Sequence, residues 1–428
     1  MIPLYKSNDI PDFLDRFLSR KQDVNKEVTQ IVQDILLDVK QKKDEALFAY
    51  TLQFDRCDLK STGLRVTAEE IKAAVSQVSE DFLDIIREAA DNVRKYHEKG
   101  KPQSWITWEE NGVMLGQKVT PLKRAGLYVP GGRAFYPSSL IMASMPAQVA
   151  GVHEIAAVTP PGKDGKIDPS VLATAFVLGI TEIYKVGGAQ GVAAMAFGTE
   201  SIKTVDIIVG PGNIYVAEAK RQVYGICDID MVAGPSEVVL LCDDSVNPDY
   251  AASDLLAQAE HDPSASSICI LDNAELAEKI KEAVIKQAAQ LKRQPIFEES
   301  LEKWSGILVV DSMEAGIDLV NTLAPEHLGL HVADPWEILG KIDNAGAIFL
   351  GHYSPESVGD YWAGPNHILP TGQTARFSSP LGTENFLKRS SVIQYTKEAL
   401  QKDGAKIMTF ANMEGLDAHA NAVKQRIN

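Results

Sequence analysis

Cysteine is scarce in this 428-residue chain: Cys57, Cys227, Cys242 and Cys269 lie far apart, with no Cys-x-x-Cys pair. That excludes a disulfide framework and a thiolate zinc site, and predicts buried free thiols. No stretch approaches the ~20 continuous apolar residues of a membrane span. The start, MIPLYKSNDIPDFLDRF, carries charge throughout and has no apolar core, so no secretion signal is expected and the expected location is cytoplasmic. Cations are in deficit, 42 Lys and Arg against 58 Asp and Glu, for a net charge of −16. Nucleic acid needs a basic surface, so that partner is excluded. The Gly-x-Gly-x-x-Gly dinucleotide fingerprint is also missing.

What is present is the mixture of a globular protein, 45% hydrophobic and 23% charged, and long enough for more than one core. After an arm over 1–27, residues 28–125 read as helical. Val28, Ile31, Val32, Ile35, Leu36 and Val39 recur at helical spacing. Thr67 and Glu70 form a capping box ahead of Ile71, Ala74, Val75 and Val78. Alternation from Trp105 to Val119 predicts a hairpin turning at Asn111-Gly112. This region is expected to pack on the second of two units that follow.

Over 126–236 the apolar runs GLYVP, EIAAVTP, EIYKVGG, VDIIVG and IDMVAG alternate with helical segments. Over 237–379 the runs VVLL, SICILD, ILVVD, GLHVAD and AIFLG do the same. Alternation of this kind predicts an α/β protein of two consecutive doubly wound parallel-sheet units, with an internal duplication. Residues 380–428 form a tail, too short for a core of its own, with a helix near its end.

Parallel sheets bind ligands beyond the carboxyl ends of their strands. In the first unit those ends carry Val129-Pro130-Gly131-Gly132, Gly187-Gly188-Ala189-Gln190 and Gly210-Pro211-Gly212-Asn213. Each loop opens a helix whose unpaired N–H groups favour a phosphorylated ligand, although tight turns need glycine as well. Among the eight histidines, His261 stands three residues after Gln258 and can share its helix face. His327 adjoins Glu326, and His419 follows Glu414. Gln258, His261, Asp360 and His419 together could offer two nitrogens and two oxygens to zinc. Spacing alone does not select them, because they span 160 residues.

LYVPGGRAFYPSSLIM, VGGAQGVAAMAFGTESI, VDIIVGPGNIYVAEAK, DMVAGPSEV, LLAQAEHD, APEHL, ESVGDYWAGPNHILPTG and EGLDAHANAV resemble the histidinol dehydrogenase family, in order and across nearly the whole chain. The resemblance implies incomplete Rossmann-like units in an intertwined homodimer, one zinc per subunit, NAD, and the substrate L-histidinol. It implies zinc on Gln258, His261, Asp360 and His419, and NAD on Tyr128, Gln190 and Asn213. It implies substrate contacts from Ser236, Gln258, His261, His327, Asp360, Glu414 and His419, and the catalytic pair Glu326 and His327. His327 would be the general base and Glu326 would activate water. The tail would reach the partner subunit. Asp262-Pro263 departs from the glycine expected after His261. Two rivals differ in kind. A thiol-based aldehyde dehydrogenase would need a cysteine nucleophile, and a bilobed binding protein would need no Glu-His pair.

Overall fold

The computed structural model describes residues 1–19, 26–131, 136–291 and 294–427, without the side chains of 294–296. Gly132, named above as a loop glycine, lies outside the described residues. Two parallel sheets organise the chain. In the first, Arg124–Tyr128 is central, flanked by Glu154–Thr159 and then Glu182–Lys185 on one side, and by Ile207–Val209 and then Asp228–Ile229 on the other. In the second, Glu237–Cys242 is central, with Ser266–Leu271 and Gly306–Val309 on one side and His327–His331 and Ala347–Leu350 on the other. Both units therefore run third, second, first, fourth, fifth strand, the order of a doubly wound half. The expected duplication is present in topology.

Central strands such as Glu237–Cys242 are buried on both faces, because helices cover each side. That is why these segments are continuous apolar runs and do not alternate. Pro137–Ala150 is correspondingly apolar nearly all round, lying between the first sheet and outer helices.

The N-terminal region corrects two expectations. Leu4–Lys6 is a strand, paired in parallel with Gly306–Val309 at the edge of the second sheet. Three residues are too few to show a period, so only the sheet reveals it. Residues 28–125 pack chiefly on the first unit, reaching the second at points such as Asn92, which donates to the Trp362 carbonyl at 3.1 Å. The stripe of Lys26–Lys42 buries Val28, Val32, Ile35, Leu36 and Val39 in one cluster with Val158, Val186 and Val192. Ile71, Ile86 and Val93 join another with Leu127 and Val209. The second unit is covered instead by Ile10–Ser19, through Phe13 and Phe17. Each buried side chain of this size is worth ~1.5–3 kcal/mol. Which apolar sheet face receives a stripe is decided by three-dimensional proximity, which a stripe does not encode.

The capping box forms as expected, Thr67 Oγ1 accepting from Glu70 N and Glu70 Oε2 from Thr67 N. So does the hairpin of Trp105–Trp108 and Met114–Pro121, with Gly112 at positive φ in its turn. The tail is richer than expected. Leu387–Gln394 pairs antiparallel with Met114–Pro121, and the helices Lys397–Met413 and Asp417–Ile427 pack on each other. The four cysteines are free and buried. No described helix is long and apolar enough to cross a membrane.

Candidate active site

The last strand of the first sheet, Asp228–Ile229, leads through residues 230–236 straight into Glu237–Cys242 of the second. The carboxyl end of the first sheet's last strand is thus joined by seven residues to the amino end of the second sheet's central strand. The first border carries Tyr128 at a strand end, Gln190 in the first turn of Gly188–Phe197 and Asn213 at a helix cap. The starts of the second supply Ser236, Glu326 and His327.

At the second border, His327 begins its strand in register with Val238. Its Nδ1–H donates to the Glu237 carbonyl at 3.1 Å, which fixes the tautomer and leaves Nε2 to accept. Nε2 is buried and has no hydrogen-bond partner, with Glu356 Oε1 the nearest carboxylate at 3.9 Å. Burial lowers the His327 pKa, so the ring is neutral at neutral pH. The adjoining Glu326 accepts from Glu237 N at 2.9 Å, and burial pushes its carboxyl well above the usual range. Ser236 directly precedes these contacts, its carbonyl accepting from Ser266 N at 3.0 Å.

Gln258 closes the helix Pro248–Ala259, with His261 just beyond. With its amide oriented to satisfy both neighbours, Gln258 donates to the Glu356 oxygens at 2.9 and 3.1 Å and accepts from His261 Nδ1 at 3.1 Å. Asp262-Pro263 forms an Asx turn, Asp262 Oδ1 accepting from Ser264 N at 2.9 Å. Opposite, the helix Glu356–Tyr361 presents Glu356 and Asp360 one turn apart, on one face. Donor atoms of His261, Glu356 and Asp360 all lie within 4.8 Å of one another. Zinc ligands stand ~2.0–2.2 Å from the ion, so this trio needs only small side-chain movement to close on one cation. Burial pushes Glu356 up to about 8, with Asp254 adding repulsion, and Asp360 up to about 7, with Glu356 adding repulsion. Buried acids crowded against an imidazole suit a dication, whose charge would favour their ionised forms.

Two residues of this site were missed in sequence. Glu356 stands four before Asp360, a spacing that could have flagged it. His367, in NHILP, donates from Nδ1 to the Asp360 carbonyl at 3.2 Å and is held down to about 4 by burial. The position of His367 in its motif carries no signal separable from ordinary packing. His327, Phe349, Asp360 and His367 line a cavity of about 740 Å³ that extends to His97 and Glu384. Glu414 and His419 do not join this cluster. Both are exposed, Glu414 just after the helix Lys397–Met413 and His419 on Asp417–Ile427, in a tail that also exposes Phe410 and Met413.

At the first border, the Tyr128 hydroxyl is buried and accepts from Gly188 N at 2.9 Å. Gln190 is 1% exposed, and its Oε1 is buried with no hydrogen-bond partner. Asn213 caps Ile214–Val223, accepting from Tyr215 N and Val216 N at 3.1 Å each. Gly210, at φ +119°, passes so close to Tyr128 that a Cβ would stand 2.1 Å from the Tyr128 carbonyl oxygen. These glycine loops, the start of the helix Gly188–Phe197, which no side chain caps, and the unmatched buried amide oxygen fit a dinucleotide.

Fold and site together define a doubly wound α/β oxidoreductase that carries both a glycine-loop border and a buried imidazole–carboxylate site. The histidinol dehydrogenase family profile matches residues 18–427. Histidinol dehydrogenase of Halalkalibacterium halodurans is 52% identical over 411 residues, 96% of each chain, and that of Bacillus subtilis 50% over 412, again 96% of each. The crystal structure of histidinol dehydrogenase from Elizabethkingia anophelis superposes with a TM-score of 0.94 at 38% identity, covering 100% of this chain and 98% of that one. The chain belongs to the histidinol dehydrogenase family, NAD-dependent oxidoreductases of histidine biosynthesis.

Proposed function

We propose that this chain oxidises L-histidinol through L-histidinaldehyde to L-histidine, with zinc on Gln258, His261, Asp360 and a His419 contributed by a second copy. The observation that carries the reading is His327: a neutral imidazole pinned through Nδ1–H, with an unpaired Nε2, in a ring that lines the cavity. Bound NAD supplies a hydride acceptor on the Tyr128, Gln190 and Asn213 side, and bound zinc an electrophilic anchor for the substrate's amine and imidazole.

His327 then takes the hydroxyl proton at Nε2 as hydride leaves the same carbon, and repeats this on the hydrated aldehyde. Glu326, held by the Glu237 N–H, orients the water that adds to the aldehyde. Glu356 holds the Gln258 amide and so aims it. His367 and Phe349 stand in the wall of the same cavity. The dimer reading is supported by Glu414 and His419 lying outside the cluster, and by the exposed Ile393, Phe410 and Met413 that a partner would cover. The thiol rival has no support, since all four cysteines are buried and the burial of Cys227 raises its thiol to about 12.

The test is incubation of zinc-loaded protein with histidinol and NAD, reading NADH and histidine. Two NADH per histidinol is the expected yield; an aldehyde end product, or no NADH, overturns the assignment.

Metal binding should also carry a proton signature. Glu356 near 8 and Asp360 near 7 hold protons in metal-free protein at neutral pH, and a dication must displace them. Zinc affinity is therefore expected to rise with pH until both acids are ionised, above about 8. Calorimetric zinc titration at pH 6.5 in two buffers of different ionisation enthalpy measures this. Heats that do not depend on the buffer would contradict it.

A further inference from the structure

Lys220 and Asp230 form an ion pair in the interior of the first unit, with side chains 2% and 0% exposed. Taking both charges out of water is costly, and an apolar pair would fill the space at least as well. Their other contacts converge on one residue. Asp230 Oδ2 accepts from Gly210 N at 2.7 Å, and Lys220 Nζ donates to the Gly210 carbonyl at 2.9 Å. The pair therefore holds both polar groups of the peptide residue that opens Gly210-Pro211-Gly212-Asn213. Asp230 Oδ1 also accepts from Met231 N at 2.6 Å, tying the same clamp to the start of the 230–236 crossover.

Gly210 needs such a hold. Its φ of +119° and its contact with the Tyr128 backbone leave the N–H and C=O unable to enter an ordinary strand ladder. Lys220 lies on the helix that Asn213 caps, two turns from that cap. One ion pair thus sets the height of the loop, the start of its helix and the approach of Tyr128.

We propose that Lys220 and Asp230 are positioning residues for the dinucleotide: their paired charges hold the Gly210–Asn213 loop in its binding shape. The proposal rests on the reading of Asn213 as a dinucleotide contact. The pair touches neither substrate nor the reacting atoms. Its loss should therefore appear in dinucleotide affinity, and far less in the histidinol KM or in kcat at saturating NAD.

The experiment is NADH titration by fluorescence, without histidinol, on zinc-loaded protein. The variants are the apolar replacement Lys220→Met/Asp230→Leu, the partial one Lys220→Met/Asp230→Asn, which keeps an acceptor for Gly210 N, and Asn213→Ala. The apolar double should weaken NADH about 10–100-fold, the scale of a loop misplaced by about an ångström. The Asn variant should fall between it and wild type. If the apolar double folds, by circular dichroism and melting, and binds NADH as wild type does, the clamp is merely structural and the proposal is overturned. Should it not fold, Asp230→Glu keeps both charges and moves the carboxylate by one methylene. It should lose NADH affinity with little change in melting temperature; unchanged affinity would again overturn the proposal. Asn213→Ala separates the two readings. If it too binds NADH normally, the loop is not a dinucleotide contact. If it weakens NADH while the double does not, the loop stands and the clamp falls.

Discussion

His327→Asn is expected to slow both oxidation steps, by about 10²–10⁴-fold, the usual loss for a general base. Asparagine can keep a donor toward the Glu237 carbonyl but offers no basic nitrogen where Nε2 stands. Hydride cannot leave either the alcohol or the hydrated aldehyde unless the attached hydroxyl gives up its proton. Both half-reactions therefore suffer. Glu326→Gln should separate them. Glutamine can still accept from Glu237 N, so the loop before the strand keeps its shape. Water activation is needed only in the second step, so aldehyde oxidation should fall by ~10²-fold or more while alcohol oxidation falls far less. Single-turnover kinetics started from histidinol, and separately from histidinaldehyde, read the two steps. Equal losses from Glu326→Gln in both would show that it serves His327 and does not serve the water.

The second large effect is a recovery. Asp360→Ala and His419→Ala chains are each expected to be inactive alone. When unfolded and refolded together they should regain about a quarter of wild-type activity. Asp360 lies in the cluster with His261 and Glu356, whereas His419 is exposed on a tail helix outside it. If His419 completes the site of a second copy, one site of each mixed dimer collects both lesions and the other is intact. Random pairing makes roughly half of the dimers mixed, hence the quarter. If His419 acted within its own chain, every site would lack one group. Mixed dimers isolated by differential tagging but lacking activity would rule out the shared site.

The alternating apolar runs and the glycine-rich loops made both doubly wound units legible in the sequence. Burial on both faces forces a strand to be apolar throughout, and a sharp strand-to-helix turn requires glycine, so both leave local marks. The capping box and the hairpin at Asn111-Gly112 were legible for the same reason, since each involves residues a few positions apart. The candidate ligands were a different matter. Gln258 and His261 share a helix end, but Asp360 reaches them only because the chain turns back after Ala347–Leu350, and nothing local records that return. Glu356 was passed over because one buried glutamate in a short helix looks like any other until its neighbours are known.

Residue chemistry and local periodicity were thus determined by the sequence itself: which segments are strands or helices, which side chains can titrate or ligate, and, through long motifs in order, which family they resemble. The tertiary structure alone decided that 28–125 covers the first unit, that Leu4–Lys6 edges the second sheet, and that Glu356, Asp360 and His261 come together. It alone paired Lys220 with Asp230 under Gly210. The physical reason is range. Backbone geometry couples residues about four apart or fewer, so its demands are written in neighbouring letters. Hydrophobic burial is non-directional, and an apolar stripe specifies that it must be covered without specifying by what.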